Sequence, residues 1–304
     1  MPTPVIFPTY TIGSWAANVD DDQGCRWVIE PGGADSLTGG VGRKTHTVER
    51  PFGPGAYRSR SYLTARTAVL QGWCDAGVSG RAGRIAARDR LMALFVDGGT
   101  ALLTVDDGIS PRQLTVELGT DDPKCAVWPD GNGFDWQISL YAADPRFLST
   151  EVLSAAALPP SASTDGLDWT LGSPGGLDWA AGSPGGLDWG TSGTGVNILA
   201  LNNPGTAPTW PVLTFTTTTT LTNPALQDPL SGAILSYLGS INSGQTLVID
   251  TSPFTRSVTL DGVDRLGAMG LVGWPEIEPG STLNLQFTGT GTGTVVAEWQ
   301  AAYL

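Results

Sequence analysis

Residues that could do chemistry are few in this chain, and they are scattered. His46, in "GRKTHTVERP", is the single histidine. A triad hydrolase needs an imidazole held between a nucleophile and an acid. No nucleophile-elbow motif surrounds any serine, so His46 reads as a structural or exposed residue. "NVDDDQG" sets Asn18, Asp20 and Asp22 at alternate positions, as a calcium loop does. That loop wants glycine at its sixth position and a bidentate glutamate at its twelfth. Gln23 and Ile29 stand there instead, so a solvated turn is expected. Asp106–Asp107 and Asp121–Asp122 flank "RQLTVEL", where turn acids fall. Paired carboxylates can hydrolyse glycosides, but only at a separation that sequence does not give. Cys25, Cys74 and Cys125 form no CxxC pair and read as buried, reduced thiols rather than a disulfide framework or zinc site. No phosphate loop or dinucleotide fingerprint is present. The expectation is a protein without catalysis, cofactor or metal.

The stronger pattern is aromatic. "GLDWTLGSPGGLDWAAGSPGGLDWG" spans Gly166–Gly190 and repeats Leu167 with Trp169, Leu177 with Trp179, and Leu187 with Trp189 at a step of ten residues. Such rings could stack on sugars, or they could dock into apolar grooves on neighbouring protein. Tryptophan suits interfaces because it buries a large area and keeps a polar N–H. Three Leu–Trp pairs left in water would invite aggregation, so docking is the preferred reading. Under the glycan alternative, Trp274 in "VGWPEIEPG" is the free platform. Trp299 alternates with inward-facing residues, and Trp210 sits in a proline-bounded turn.

Composition narrows the partners. The formal net charge is −13, which argues against a grip on nucleic-acid phosphates. No apolar run reaches membrane length, and "MPTPVIFPTYTIG" lacks the basic and apolar parts of a signal peptide, so folding in a cytoplasm is expected. A hydrophobic fraction of 40% supports packed cores, while 41 Gly and 22 Pro point to short strands joined by turns.

These elements fall into three regions of a mainly β chain. In residues 1–153, "CRWVIEP" reads as a strand followed by a Gly-rich loop through Gly42. "SRSYLTARTAVLQGWCD" is extended, with Leu63, Val69, Leu70 and Trp73 as core candidates. "SGRAGRIAARDRLMALFVDGG" is the one good helix, with Ile85, Arg88, Leu91, Leu94 and Phe95 near helical spacing and Gly98–Gly99 as its stop. Its apolar face is expected to pack on its own sheet. "RQLTVEL" then aligns Leu114, Val116 and Leu118, and "FDWQISLYA" aligns Phe134, Trp136, Ile138 and Leu140. Residues 154–195 read as a linker carrying the three repeats. Residues 196–304 read as a β-sandwich, with "QTLVID" and "RSVTLDG" as a hairpin. There "STLNLQF" aligns Leu283, Leu285 and Phe287, and "GTVVAEWQAAYL" aligns Val295, Ala297, Trp299, Ala301 and Tyr303.

The order of several segments resembles the distal tail proteins of long, non-contractile-tailed bacteriophages, especially minor tail proteins of phages that infect actinobacteria. In the first region the resemblance rests on "AARDRLMALFVDGGTALLTVDD" and on "FDWQISLYAADPRFLS", with its "ADPRF" at Ala143–Phe147. In the third it rests on "NPGTAPTWPVLTF", "LVIDTSPFTRSVTLDG" and "WPEIEPGSTLNLQF"; the "GLDW" linker is similar too. "TFTTTTTLTNP" departs from the family, which more often has a Gly-containing turn at this first hairpin of the last domain. The resemblance implies an N-terminal belt domain that closes a six-membered ring, and a C-terminal galectin-like β-sandwich outside it. It implies a ring joining the tail tube to the tail hub or baseplate, with a channel for DNA, at the virion tail tip after assembly in the host cytoplasm. Partners would be further copies of the chain, the tube and hub or tip proteins, and the tape measure protein. Sequence-specific nucleic-acid binding and membrane insertion are not expected.

Overall fold

The computed structural model describes residues 8–21, 23–159 and 197–304. Leu167, Trp169, Leu177, Trp179, Leu187 and Trp189 lie outside the described residues, as does Asp22. The chain divides into two compact units, passing from the first to the second at Glu151/Val152 and returning for Ala302–Leu304.

The first unit is built on two ten-residue strands, Arg66–Asp75 and Gly133–Ala142, paired antiparallel without a break from Arg66↔Ala142 to Asp75↔Gly133. Arg26–Ile29 adds to one side of the pair and Lys124–Val127 to the other. A further ladder joins Thr9–Ile12, Ala101–Asp106 and Arg112–Leu118. Side chains alternate across a strand, so Phe134, Trp136, Ile138 and Leu140 all enter the core as expected. Leu114 and Val116 follow them, with Leu118 half-buried. Four rings, Trp15, Trp27, Phe134 and Trp136, meet edge-to-face at centroid distances of 5.2–6.0 Å. Cys25 and Cys74 are buried free thiols, and Cys125 is half-buried. Tyr303, near the chain's last residue, lies under the Arg112 guanidinium at 4.0 Å.

Several expectations for this unit need correction. In Arg66–Asp75, Leu70 is buried, but Val69 and Trp73 are half-buried on the opposite face, and Leu63 lies outside the strand. Period two allows one face inward, and that face is Arg66, Ala68, Leu70, Gly72 and Cys74. Gly72 is required there, because a Cβ would stand 1.9 Å from the Val28 carbonyl of the neighbouring strand. The helix, Gly80–Ala93, turns inward not Ile85 and Arg88 but Gly83, Arg84, Ala87 and Leu91. Ile85 is 42% exposed. Gly83 is required at the helix start, because a Cβ there would meet that of Ser79, the residue just before the helix, at 2.4 Å, and its carbonyl accepts from the buried Cys25 thiol at 3.7 Å. The helix ends at Ala93, and Phe95 takes a left-handed φ of 61° that lays its ring against the core. A single helical turn, Asp35–Thr38, interrupts the expected Gly-rich loop.

The second unit is a sandwich of two antiparallel layers around one core. One layer runs Ile198–Asn203, Ser281–Gly291, Thr220–Gln227, Ile234–Tyr237 and Met269–Val272. The other pairs Val212–Thr216 with Thr246–Asp250 and with residues 294–298, and Thr246–Asp250 with Ser257–Leu260. The last pair is the expected hairpin. Phe215 and Phe287 touch edge-to-face at 5.6 Å, and Leu285, Val295, Ala297, Trp299 and Ala301 are buried as their alternation implied. "TFTTTTTLTNP" is not a hairpin. Val212–Thr216 and Thr220–Gln227 belong to different layers, so the threonines turn a corner. The Thr217 hydroxyl accepts the Thr219 amide at 3.2 Å and donates to the Thr292 carbonyl, doing locally what a glycine turn does by conformation.

Candidate functional site

A two-stranded ribbon leaves the first unit between Gly42 and Thr64. It begins with the Thr64 amide donating to the Gly42 carbonyl at 2.9 Å. Arg43 and Lys44 pair with Leu63 and Tyr62; Thr47, Val48 and Glu49 pair with Arg58, Tyr57 and Ala56. One extra residue on the returning strand separates these ladders, a bulge that adds twist. At the bulge the His46 amide donates to the Ser59 hydroxyl at 2.9 Å and the Ser59 amide to the His46 carbonyl at 2.8 Å. The single histidine is thus an exposed ribbon residue. The tip is Arg50-Pro51-Phe52-Gly53-Pro54-Gly55, closed by the Arg50 amide on the Gly55 carbonyl at 3.1 Å, with Gly55 at φ 97°. Residues 46–60 are all exposed, and Phe52 is 100% so.

The root of the ribbon is held by a buried cation. Arg66 is 4% exposed, and its Nε donates to the Pro145 carbonyl at 3.1 Å. Its Nη1 donates to the Leu37 carbonyl and, at 2.9 Å, to that of Gly39. Its guanidinium also lies 5.1 Å from the centroid of the Phe147 ring. Burial draws its pKa down from the ordinary arginine value, but a guanidinium starts so high that it stays charged. Pro145 and Phe147 belong to the "ADPRF" segment. Within it Asp144 grips Arg146 by both oxygens, Nε to Oδ1 at 2.8 Å and Nη2 to Oδ2 at 2.5 Å. The segment therefore serves two buried arginines, one of which fixes the ribbon's root.

The "NVDDDQG" stretch is structural rather than a solvated turn. Asn18, at φ 63°, is 7% exposed; its amide nitrogen donates to the Pro8 carbonyl at 2.7 Å and its oxygen accepts the Ile29 amide at 2.8 Å. Asp21 accepts the Gln23 and Cys25 amides at 2.9 and 2.8 Å, the Trp27 indole at 3.1 Å and Arg90 Nη2 at 2.6 Å. It ties the loop and the aromatic cluster to the helix. Burial works against its ionisation, but the Cys25 amide, the Trp27 indole and the Arg90 guanidinium outweigh this and hold its carboxyl below the usual value. An acid with a lowered folded-state pKa stabilises the fold above its unfolded pKa, about 3.9, and that stability is lost as pH falls through the folded value. Asp21→Asn is therefore expected to melt well below the unsubstituted protein at pH 7. The gap should narrow as pH drops below about 4, measured as Tm across pH; a gap constant with pH would contradict this role.

Among the described residues no group of three or more His, Cys, Asp or Glu could hold a metal ion. No helix of the described residues is long and apolar enough to cross a membrane. Trp274 is not the free platform expected under the glycan alternative. Arg256 stacks over its ring at 4.4 Å, and the ring packs against the sandwich core. Beside it lies a cavity of about 140 Å³ whose walls include Asp228, Ser231 and Glu276. Trp299 is buried and donates to the Asn202 carbonyl at 2.8 Å, while Trp210 meets Phe254 at 6.0 Å. The ribbon escaped the sequence reading because none of residues 46–60 is buried, so its strands carry no inward-facing alternation. Its readable signal was the "PFGPG" turn between β-branched and polar residues.

Residues 204–303 match the family described as siphovirus-type tail component, C-terminal domain (SPP1_Dit). No curated protein matches the chain. Among solved structures, the chain is similar to the Dit protein of phage SPP1, described as a paradigm of the hub adsorption apparatus in phages infecting Gram-positive hosts. The TM-score is 0.57 at 12% identity, covering 88% of this chain and 90% of that one. It is also similar to a chain of the phage P2 baseplate in its activated conformation, with a TM-score of 0.50 at 9% identity, covering 96% and 98%.

Proposed function

We propose that this chain, whose residues 204–303 carry a siphovirus-type tail component domain on the fold of a distal tail protein, is a structural part of a phage tail tip. The observation that carries this reading is the family match in the second unit combined with a fold likeness over nearly the whole chain. The first unit closes a ring, of six copies, that joins the tail tube to the hub or baseplate and leaves a channel for DNA. Its partners are further copies of the chain, the tube protein, the hub or tip proteins and the tape measure protein. Assembly takes place in the host cytoplasm. A galectin-like sandwich stands outside the ring, and residues 154–195 connect it to the belt of residues 1–153. Along that connection Leu167, Trp169, Leu177, Trp179, Leu187 and Trp189 dock on protein surfaces, with similar pockets at a regular pitch explaining the ten-residue step.

The charge supports a channel role. With a formal net charge of −13, a lumen wall drawn from this chain's acidic surface avoids gripping the phosphate backbone during ejection.

One measurement tests these points together: the solution mass of the full chain across concentration, alone and with the tube protein, followed by electron cryomicroscopy of what forms. The expected result is six-membered rings with an open centre, an uncharged or acidic lumen and the three tryptophans seated on protein. A protein that stays monomeric alone and with its tube partner would sink the ring. Rings with all three indoles in solvent would sink the docking role, and a lumen lined by Arg and Lys would sink the charge argument.

A further inference from the structure

We infer that the ribbon from Gly42 to Thr64 is the segment that reaches a neighbouring copy of this chain, with Phe52 as its anchor. The inference rests on the ring reading above and specifies which part of the chain closes the ring. Three observations point to it. First, an isolated two-stranded ribbon is marginal in water, yet residues 46–60 are all exposed among the described residues, held by the facing strand and the Arg50–Tyr57 stack at 4.9 Å. At about 3.3 Å per residue the tip stands on the order of 25 Å from the root, well clear of its own core. Second, the ribbon exposes apolar and aromatic side chains. Phe52 is wholly exposed, and Val48, Tyr57 and Tyr62 are each at least half so. A rigid aromatic between two prolines is the kind of side chain that carries interface energy when a pocket receives it.

Third, the ribbon's charge is opposite to that of the chain. Arg43, Lys44, Arg50, Arg58 and Arg60 stand here against one carboxylate, Glu49, in a protein whose net charge is −13. Residues 152–301 hold only Arg256 and Arg265 as cations. A second copy therefore presents the complementary acidic surface, and oppositely charged faces steer and register an association. A ribbon of one copy on a different patch of the next is a head-to-tail contact, the kind that closes rings. The root is stiffened by Arg66, which follows the returning strand and binds the carbonyls of Leu37 and Gly39 ahead of the outgoing one, and that of Pro145.

The test uses the full chain with Phe52→benzoylphenylalanine, a photo-crosslinking residue. Light- and heavy-nitrogen forms are mixed, assembled with the tube protein, irradiated and mapped by mass spectrometry. Cross-links joining a light to a heavy copy are the expected result. A second variant, Arg43→Glu, Lys44→Glu, Arg50→Glu, Arg58→Glu and Arg60→Glu together, is expected to keep its circular dichroism and Tm. It should need at least about tenfold more protein to half-assemble. Rings that form with cross-links only within one copy, onto DNA or onto another tail protein would overturn the inference and leave the ring reading standing. So would unchanged assembly of the charge-reversed variant. Absence of any ring from the unsubstituted protein would overturn both.

Discussion

Trp27→Ala is expected to destabilise the first unit by about 3–5 kcal/mol, the range for truncating a buried large aromatic. Trp27 is 1% exposed and meets Trp15, Phe134 and Trp136 edge-to-face, so its loss leaves a cavity that three rigid rings fill poorly. It also takes the indole donor from Asp21, whose carboxylate then relies on the amides and Arg90. Urea unfolding of the full chain, with tertiary structure followed by near-ultraviolet dichroism, should show the midpoint of one transition falling sharply. Trp73→Ala is the control. Trp73 is half-buried on the other face of its strand, so the shift there should be much smaller. Equal shifts would mean that the aromatic cluster is not the centre of this unit's stability.

Arg66→Met is expected to cost about 3 kcal/mol or more, although methionine fills much of the same space. The reason is asymmetric. The substitution leaves the carbonyls of Leu37 and Pro145 without their donor in a buried site, and each such group costs about 1–3 kcal/mol, while the Gly39 carbonyl, nearer the surface, loses its bond too. Lysine restores the charge but presents a point donor where a planar fork reaches both the Leu37–Gly39 segment and Pro145, so Arg66→Lys should recover only part of the loss. A second readout separates root stiffening from general stability. Brief trypsin treatment under native conditions should cut Arg66→Met within the ribbon, after Lys44, Arg58 or Arg60, faster than it cuts the unsubstituted protein. Unaltered ribbon cleavage at a lowered global stability would assign Arg66 to core packing alone.

The alternating strands were legible because alternation is a local property: "FDWQISLYA" and "GTVVAEWQAAYL" carry their inward faces in their spelling, and the folded chain buries those faces. The acidic balance and the family segments of the last region were also plain from residue order alone. Tertiary structure decided what depends on the neighbour. The helix seats Gly83, Arg84, Ala87 and Leu91 rather than the face its apolar spacing marks, leaving Ile85 exposed. Arg66 occupies an inward position that hydropathy would refuse, since three carbonyls from distant segments converge on it. Trp274 loses its freedom to Arg256, eighteen residues earlier in sequence, through a stack that no spacing rule encodes. The ribbon was invisible for the converse reason. A segment whose residues 46–60 are all exposed among the described residues leaves no periodic imprint in the sequence, because periodicity records burial.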